Sequence, residues 1–119
     1  MLYRTHSPRQ RERGMVTIEL AVGILTATVL TALLCWMVAL VVMQAKCVDV
    51  ATEVARQTAR GDTEQVRAAK KLAPRYARVD VSAHQRDVTV VVSVASRFMG
   101  MGPVTVSGSA TAAWEPGQR

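Results

Sequence analysis

The chain has 119 residues, half of them hydrophobic but only 4% aromatic, and a formal net charge of +6. The length allows one small domain plus an anchor. The charge is split: Arg4, Arg9, Arg11 and Arg13 against Glu12 give +3 in the first fourteen residues, and 11 basic against 8 acidic side chains give +3 in the other 105. No basic cluster interleaved with base-stacking aromatics is visible, which argues against a nucleic-acid partner.

Residues 1–14 form a basic leader, in which Pro8 and Gly14 discourage a long helix. The positive-inside rule places this end in the cytoplasm. Residues 20–45 carry no charged side chain. As a helix these 26 residues would span about 39 Å, more than a hydrocarbon core of about 30 Å. Residues 15–45 are therefore read as a transmembrane helix. Ordinary signal-peptidase cleavage after the run is disfavoured, because Met43-Gln44-Ala45 puts a bulky residue where a small one is required. Lipoprotein processing fails as well, since Leu34 precedes Cys35 and Lys46 precedes Cys47.

Glu19 is a lone carboxylate near the start of this segment. Such a group costs about 2.5–3.5 kcal/mol at a bilayer centre and less near the edge. Either it serves a purpose or it reaches the headgroups. Gly23, Ala27 and Thr31 recur every fourth residue and make a small-residue face on which another helix could pack.

The helix is expected to continue beyond the membrane, because residues 46–60 contain neither Gly nor Pro. Lys46, Asp49, Glu53, Arg56 and Arg60 share one face. Cys47, Val48, Ala51, Val54, Ala55 and Ala59 fall mainly on others, so residues 46–61 are amphipathic. Cys35 and Cys47 are twelve residues apart on this helix, about 18 Å, too far for an internal disulfide. Cys35 is read as a small apolar residue in the membrane. Cys47 is either a buried or free thiol, the favoured reading, or an intermolecular thiol bridging to a partner chain. His6 and His84 are isolated, and no metal or other cofactor is expected.

Residues 62–119 make up the rest of the domain. Gly61 is expected to end the long helix and Asp62 to cap the next, with Gln65 completing a capping box. The tripeptide Arg60-Gly61-Asp62 is thus read as cap chemistry and not as an adhesion signal. A short helix should run to about residue 72, with Val66, Ala69, Leu72 and Ala73 on its apolar side, and Pro74 should end it. Arg67, Lys70 and Lys71 read as a solvated face, with attraction to anionic headgroups as the other reading.

Alternation then takes over. Val79, Val81 and Ala83 share one strand face, and Arg78, Asp80 and Ser82 the other. His84-Gln85-Arg86-Asp87 is a polar turn, which explains the proximity of Ser82, His84 and Asp87 better than a catalytic triad does. Val88, Val90, Val92 and Val94 define the longest strand, and Val91 on its opposite side suggests a central strand partly covered on both faces. Residues 97–103 are expected as a loop exposing Phe98, Met99 and Met101, a weak candidate for a subunit contact. Val104, Val106, Gly108, Ala110 and Ala112 form a third strand ending at Trp114. The fold class is therefore α+β: a long N-terminal transmembrane helix extends into an amphipathic helix packed on a small three-stranded antiparallel sheet.

A basic leader, then Gly14, Met15 and, at the fifth position after the glycine, Glu19, all ahead of a long helix and a small sheet, resembles a type IV pilin-like protein. Residues 14–22 (Gly-Met-Val-Thr-Ile-Glu-Leu-Ala-Val) and the Ala/Arg-containing helix exit at residues 47–60 look most like a TadE-like minor pilin of the Tad (tight adherence) pilus system. Leu20 stands where the major Flp pilin has Tyr and TadE-like chains often have Phe. The resemblance covers about the first 60 residues well and the sheet only by pattern.

That resemblance implies a structural role, and no enzyme activity is expected because no nucleophile–base pairing, metal cluster or phosphate loop can be assembled from the candidates outside the membrane. A prepilin peptidase would cut between Gly14 and Met15. Glu19 of one subunit would pair with the new Met15 amine of its neighbour during assembly. The partners implied are the membrane, the peptidase, other pilin-like subunits and the pilus assembly machinery. The implied location is the cell membrane, with the C-terminal domain extracytoplasmic. The alternative is an uncleaved single-pass membrane protein with a small extracytoplasmic binding domain.

Overall fold

A computed structural model describes residues 9–98 and 100–117, and the side chains of residues 9–13, Phe98 and Met101 lie outside that description. The elements in chain order are α1 (Arg9–Ala59), α2 (Thr63–Lys71), β1 (Arg78–Ala83), β2 (Asp87–Phe98) and β3 (Met101–Ala113). The chain divides into two compact units, Met1–Val38 and Ala39–Arg119.

In the first unit α1 already begins at Arg9 and passes through Gly14 without a break, although Gly14 was expected to discourage helix. One glycine inside a helix costs only about 1 kcal/mol relative to alanine, and regular turns on both sides outweigh it. Met15, Val16, Ile18, Leu20, Val22, Ile24, Leu25, Val29 and Leu30 are all exposed. Among the described residues none covers this apolar surface. The helix is long and apolar enough to cross a membrane, and that is the environment its composition suits. Thr26, Thr28 and Thr31 each donate a hydroxyl hydrogen bond of 2.8 Å to the carbonyl four residues back, so these hydroxyls do not need water.

The second unit is an α+β fold. Its sheet is antiparallel in the order β1-β2-β3. Val88, Val90, Val92 and Val94 of β2 are buried and meet Cys47, Val50, Ala51, Val54 and Ala55 of α1. Val50 belongs to this face and Val48, 38% exposed, does not lie in the core. The register explains the small residues on β3. Val88, Val90, Val92 and Val94 stand opposite Ala112, Ala110, Gly108 and Val106. A β-carbon on Gly108 would stand 2.5 Å from the Val48 amide nitrogen and 2.8 Å from the Cys47 carbonyl carbon. The helix backbone therefore rests directly on the strand there. Farther along, the Glu115 amide donates to the Ala59 carbonyl at 3.2 Å, so β3 follows the direction of α1.

β2 is the central strand, as expected, but Val91 on its other face is 36% exposed. Among the described residues no layer covers that face. The loop expected at residues 97–103 is also shorter: β2 runs to Phe98, which pairs with Met101 at the start of β3. Gly100, with φ 78, turns the hairpin. Paired backbone accounts for positions expected to be irregular. The exposure expected for Phe98, Met99 and Met101 lies outside the described residues.

Between α1 and α2 the backbone forms a Schellman motif. The Asp62 amide donates to the Gln57 carbonyl at 3.1 Å and the Gly61 amide to the Thr58 carbonyl at 3.0 Å, with Gly61 at φ 74. Asp62 then caps α2 by accepting from the Gln65 amide at 3.1 Å. The reciprocal half of a capping box has no role here, because the Asp62 N–H is already used by Gln57.

Candidate functional site

The sequence-derived site residues lie on α1. Gly14 and Met15 are exposed, Met15 at 73%, and among the described residues nothing beyond the neighbouring residues and the helix's own backbone lies within 4 Å of a β-carbon built on Gly14. Four residues on, Glu19 is exposed too. It lines a shallow surface depression with Val16, Leu20, Gly23, Ile24 and Ala27. Gly23 has open space around it, so the depression is where a second helix could approach most closely. Thr31 continues the same stripe, but its hydroxyl is bonded to the Ala27 carbonyl, leaving a small and mainly apolar surface. The expected small-residue face thus gains one member, Glu19, at the spacing of one helical turn.

Cys35 is exposed and Cys47 is fully buried. Cys47 is the first α1 residue of the core packed on β2, and burial pushes its thiol pKa above the ordinary value of 9.0. A bridge from Cys47 to a partner chain would require opening that core.

The polar turn expected at residues 84–87 joins β1 to β2, and the His84 amide donates to the Asp87 carbonyl at 2.8 Å. His84 Nδ1 stands 3.8 Å from Asp87 Oδ1, beyond hydrogen-bonding distance. The Trp114 indole N–H donates to the His84 carbonyl at 2.9 Å, so a neighbouring segment also holds this turn. Among the described residues no group of three or more His, Cys, Asp or Glu is arranged to hold a metal ion.

A second concave region, of about 730 Å³, was not anticipated. It lies within the second unit between α1 from Met43 onward and the end of α2. Met43, Lys46, Asp49, Glu53, Leu72 and Arg75 are among the residues that line it. Leu72 was expected to help bury α2 but is 75% exposed. As the C-cap it turns away from the core, and Ala69 and Val66 supply the contact instead. Sequence alone gave no sign that residues separated by thirty positions would converge here.

Together these features define a mixed α+β protein with one N-terminal helix able to cross a membrane. The chain is 34% identical over 101 residues to a protein named apoptosis inhibitor Rv3655c from Mycobacterium tuberculosis (strain ATCC 25618 / H37Rv), an alignment that covers 84% of this chain and 79% of the relative. The chain belongs to the family of that protein. No protein-family model and no solved structure matches it.

Proposed function

We propose that the protein is a TadE-like minor pilin, a structural subunit whose leader is removed by a prepilin peptidase and whose α1 packs among other pilin-like helices. The observation that carries the reading is the exposed Glu19 carboxylate in the small-residue depression of an otherwise apolar helix. A carboxylate there is unfavourable in lipid unless it finds a cationic partner. Cleavage between Gly14 and Met15 creates one: the Met15 amine of an adjacent subunit, displaced along the helix axis. Gly23 and Ala27 allow the close helix approach that such pairing requires. The N-terminal side is cytoplasmic in this reading and the α+β unit extracytoplasmic.

The scissile bond lies within α1, so the peptidase must unwind the helix locally. Gly14, with the weakest helical preference in the leader's last turn, is where unwinding costs least. The name of the mycobacterial relative describes an effect and supplies no assembly chemistry, so the proposal rests on the residues.

Mass spectrometry of the N-terminus of protein isolated from native membranes tests this reading. A chain beginning at Met15, with processing lost in Gly14→Leu, is expected. An intact leader beginning at Met1 in the presence of an active prepilin peptidase overturns it and favours an uncleaved signal-anchor protein.

A further inference from the structure

The sharpest unexplained feature of the second unit is Tyr76. The Ala77 amide donates to the Pro74 carbonyl at 3.0 Å, closing a turn over residues 74–77. Tyr76 occupies its third position with φ 63, where glycine or asparagine is normally required. A side chain in this region costs about 1–2 kcal/mol. Core packing does not compensate, because Tyr76 is 94% exposed. Leu72, four residues earlier, is 75% exposed. Two large apolar groups are thus held outward on one short segment.

Leu72, Pro74 and Arg75 line one concave region together with Met43, Lys46, Asp49 and Glu53 of α1. Lys46 is the first charge after the apolar run of residues 20–45. A membrane crossed by that run ends near Lys46, and Leu72, Pro74 and Arg75 share a concavity with that residue. Lys70, Lys71 and Arg75 flank the two apolar groups, with Arg67 one helical turn farther back. The Arg60–Glu115 ion pair and the His84–Asp87 contact, those found among the described residues, engage none of these cations. Lys70 and Lys71 also suit the carbonyl end of α2, but Arg75 lies beyond that helix and Lys46 on another. Asp49 and Glu53, which face the same concavity, are about 4.5 and 10.5 Å farther along the axis from Lys46, away from the lipid.

We propose that residues 67–76 form a contact with anionic phospholipid headgroups, in which Leu72 and Tyr76 enter the interfacial layer and Lys46, Lys70, Lys71 and Arg75 face the phosphates. The contact holds the α+β unit down on the membrane from which α1 emerges. It rests on the membrane-crossing reading of α1, which the pilin proposal shares, and does not depend on leader cleavage.

The full chain reconstituted in liposomes of phosphatidylcholine, with or without phosphatidylglycerol, tests the contact by amide hydrogen exchange over residues 67–78. Exchange at least about fivefold slower in the anionic vesicles is expected, since each cation near such a surface contributes about that factor. The protection should fade as salt is added. It should be lost in Lys70→Gln/Lys71→Gln/Arg75→Gln and reduced in Tyr76→Gly, whose backbone suits the observed φ. Unchanged exchange in β2 verifies that the variants are folded, and the salt titration needs no variant. Equal exchange in the two vesicle types, from a chain that resists alkaline extraction, overturns the headgroup contact alone. Release of the chain by alkaline extraction overturns both the contact and the membrane-crossing reading.

Discussion

Gly108 of β3 lies so close to Val48 of α1 that a β-carbon at position 108 would stand 2.5 Å from the Val48 amide nitrogen and 2.7 Å from its Cγ2. The nitrogen belongs to a helix backbone and cannot rotate aside. Gly108→Ala should therefore push α1 off the sheet and lower stability by about 1–3 kcal/mol, the usual cost of overpacking. Urea titration of the full chain in detergent, followed by the near-ultraviolet signal of Trp114 in a Trp36→Phe background, measures this. A change within error would mean that the helix and strand can separate freely at that crossing.

Cys47 couples the core to pH. Burial raises its folded-state pKa above 9.0, so the protonated thiol is favoured more by the folded than by the unfolded chain. Its stabilising contribution is complete below pH 9.0 and falls away as pH rises from there through the higher folded pKa. Stability should decline above pH 9.0, and Cys47→Ala should flatten part of that decline. Denaturation midpoints of the two chains across this window test the sign.

The two thiols should also differ in reactivity. Cys35 is exposed and Cys47 buried, so a lipid-permeant maleimide should label Cys35 first. Cys47 should label only after denaturation, and no disulfide-linked dimer should form through Cys47 in the folded protein. Non-reducing electrophoresis of Cys35→Ala after mild oxidation makes the second outcome visible.

Asp62 links the end of α1 to the start of α2 through both its amide and its carboxylate. Asp62→Ala removes the carboxylate cap and should cost about 1 kcal/mol. Gly61→Ala places a side chain at φ 74 and should cost about 1–2 kcal/mol. Asp62→Asn should retain most of the stability, because its carbonyl oxygen still accepts from the Gln65 amide. Thermal unfolding of the three variants checks that ranking.

Arg60 and Glu115 form an ion pair of 3.0 Å beside the backbone bond from Glu115 to Ala59. Both side chains are about half exposed, so solvent screens them. Glu115→Gln should change stability by about 0.2–1 kcal/mol, and added salt should shrink the difference. A larger effect would assign the pair a role in fixing the C-terminal segment.

Much of the fold was legible because its periodicities are clean. The apolar run, the amphipathic extension, the Gly61–Asp62 junction and the alternating valines each reflect a local backbone preference or an exposed and a buried side. The extent of the β2–β3 hairpin was less legible: Phe98, Met101, Gly102 and Pro103 read as loop residues, but strand pairing continued through Phe98, Met101 and Pro103, with a register shift at Gly102. Leu72 was assigned inward by helical spacing, yet the helix ended one residue earlier and left it outside. For the candidate site, Gly14, Met15 and Glu19 could be named from spacing. Glu19's place in the depression with Gly23 and Ala27 needed the helix surface itself.

The sequence by itself determined what depends on neighbours along the chain. It marked a helix without charge that suits lipid, a glycine and an aspartate that stop one helix and start another, and three alternating strands. Only the tertiary structure decided what depends on distant residues meeting. It set α1 on Gly108 closely enough to exclude a β-carbon, enclosed Cys47, and brought Leu72 and Arg75 beside Met43 and Lys46. Those relations arise from packing and register, in which each position is chosen by the shape of partners up to sixty residues away. No local preference encodes them.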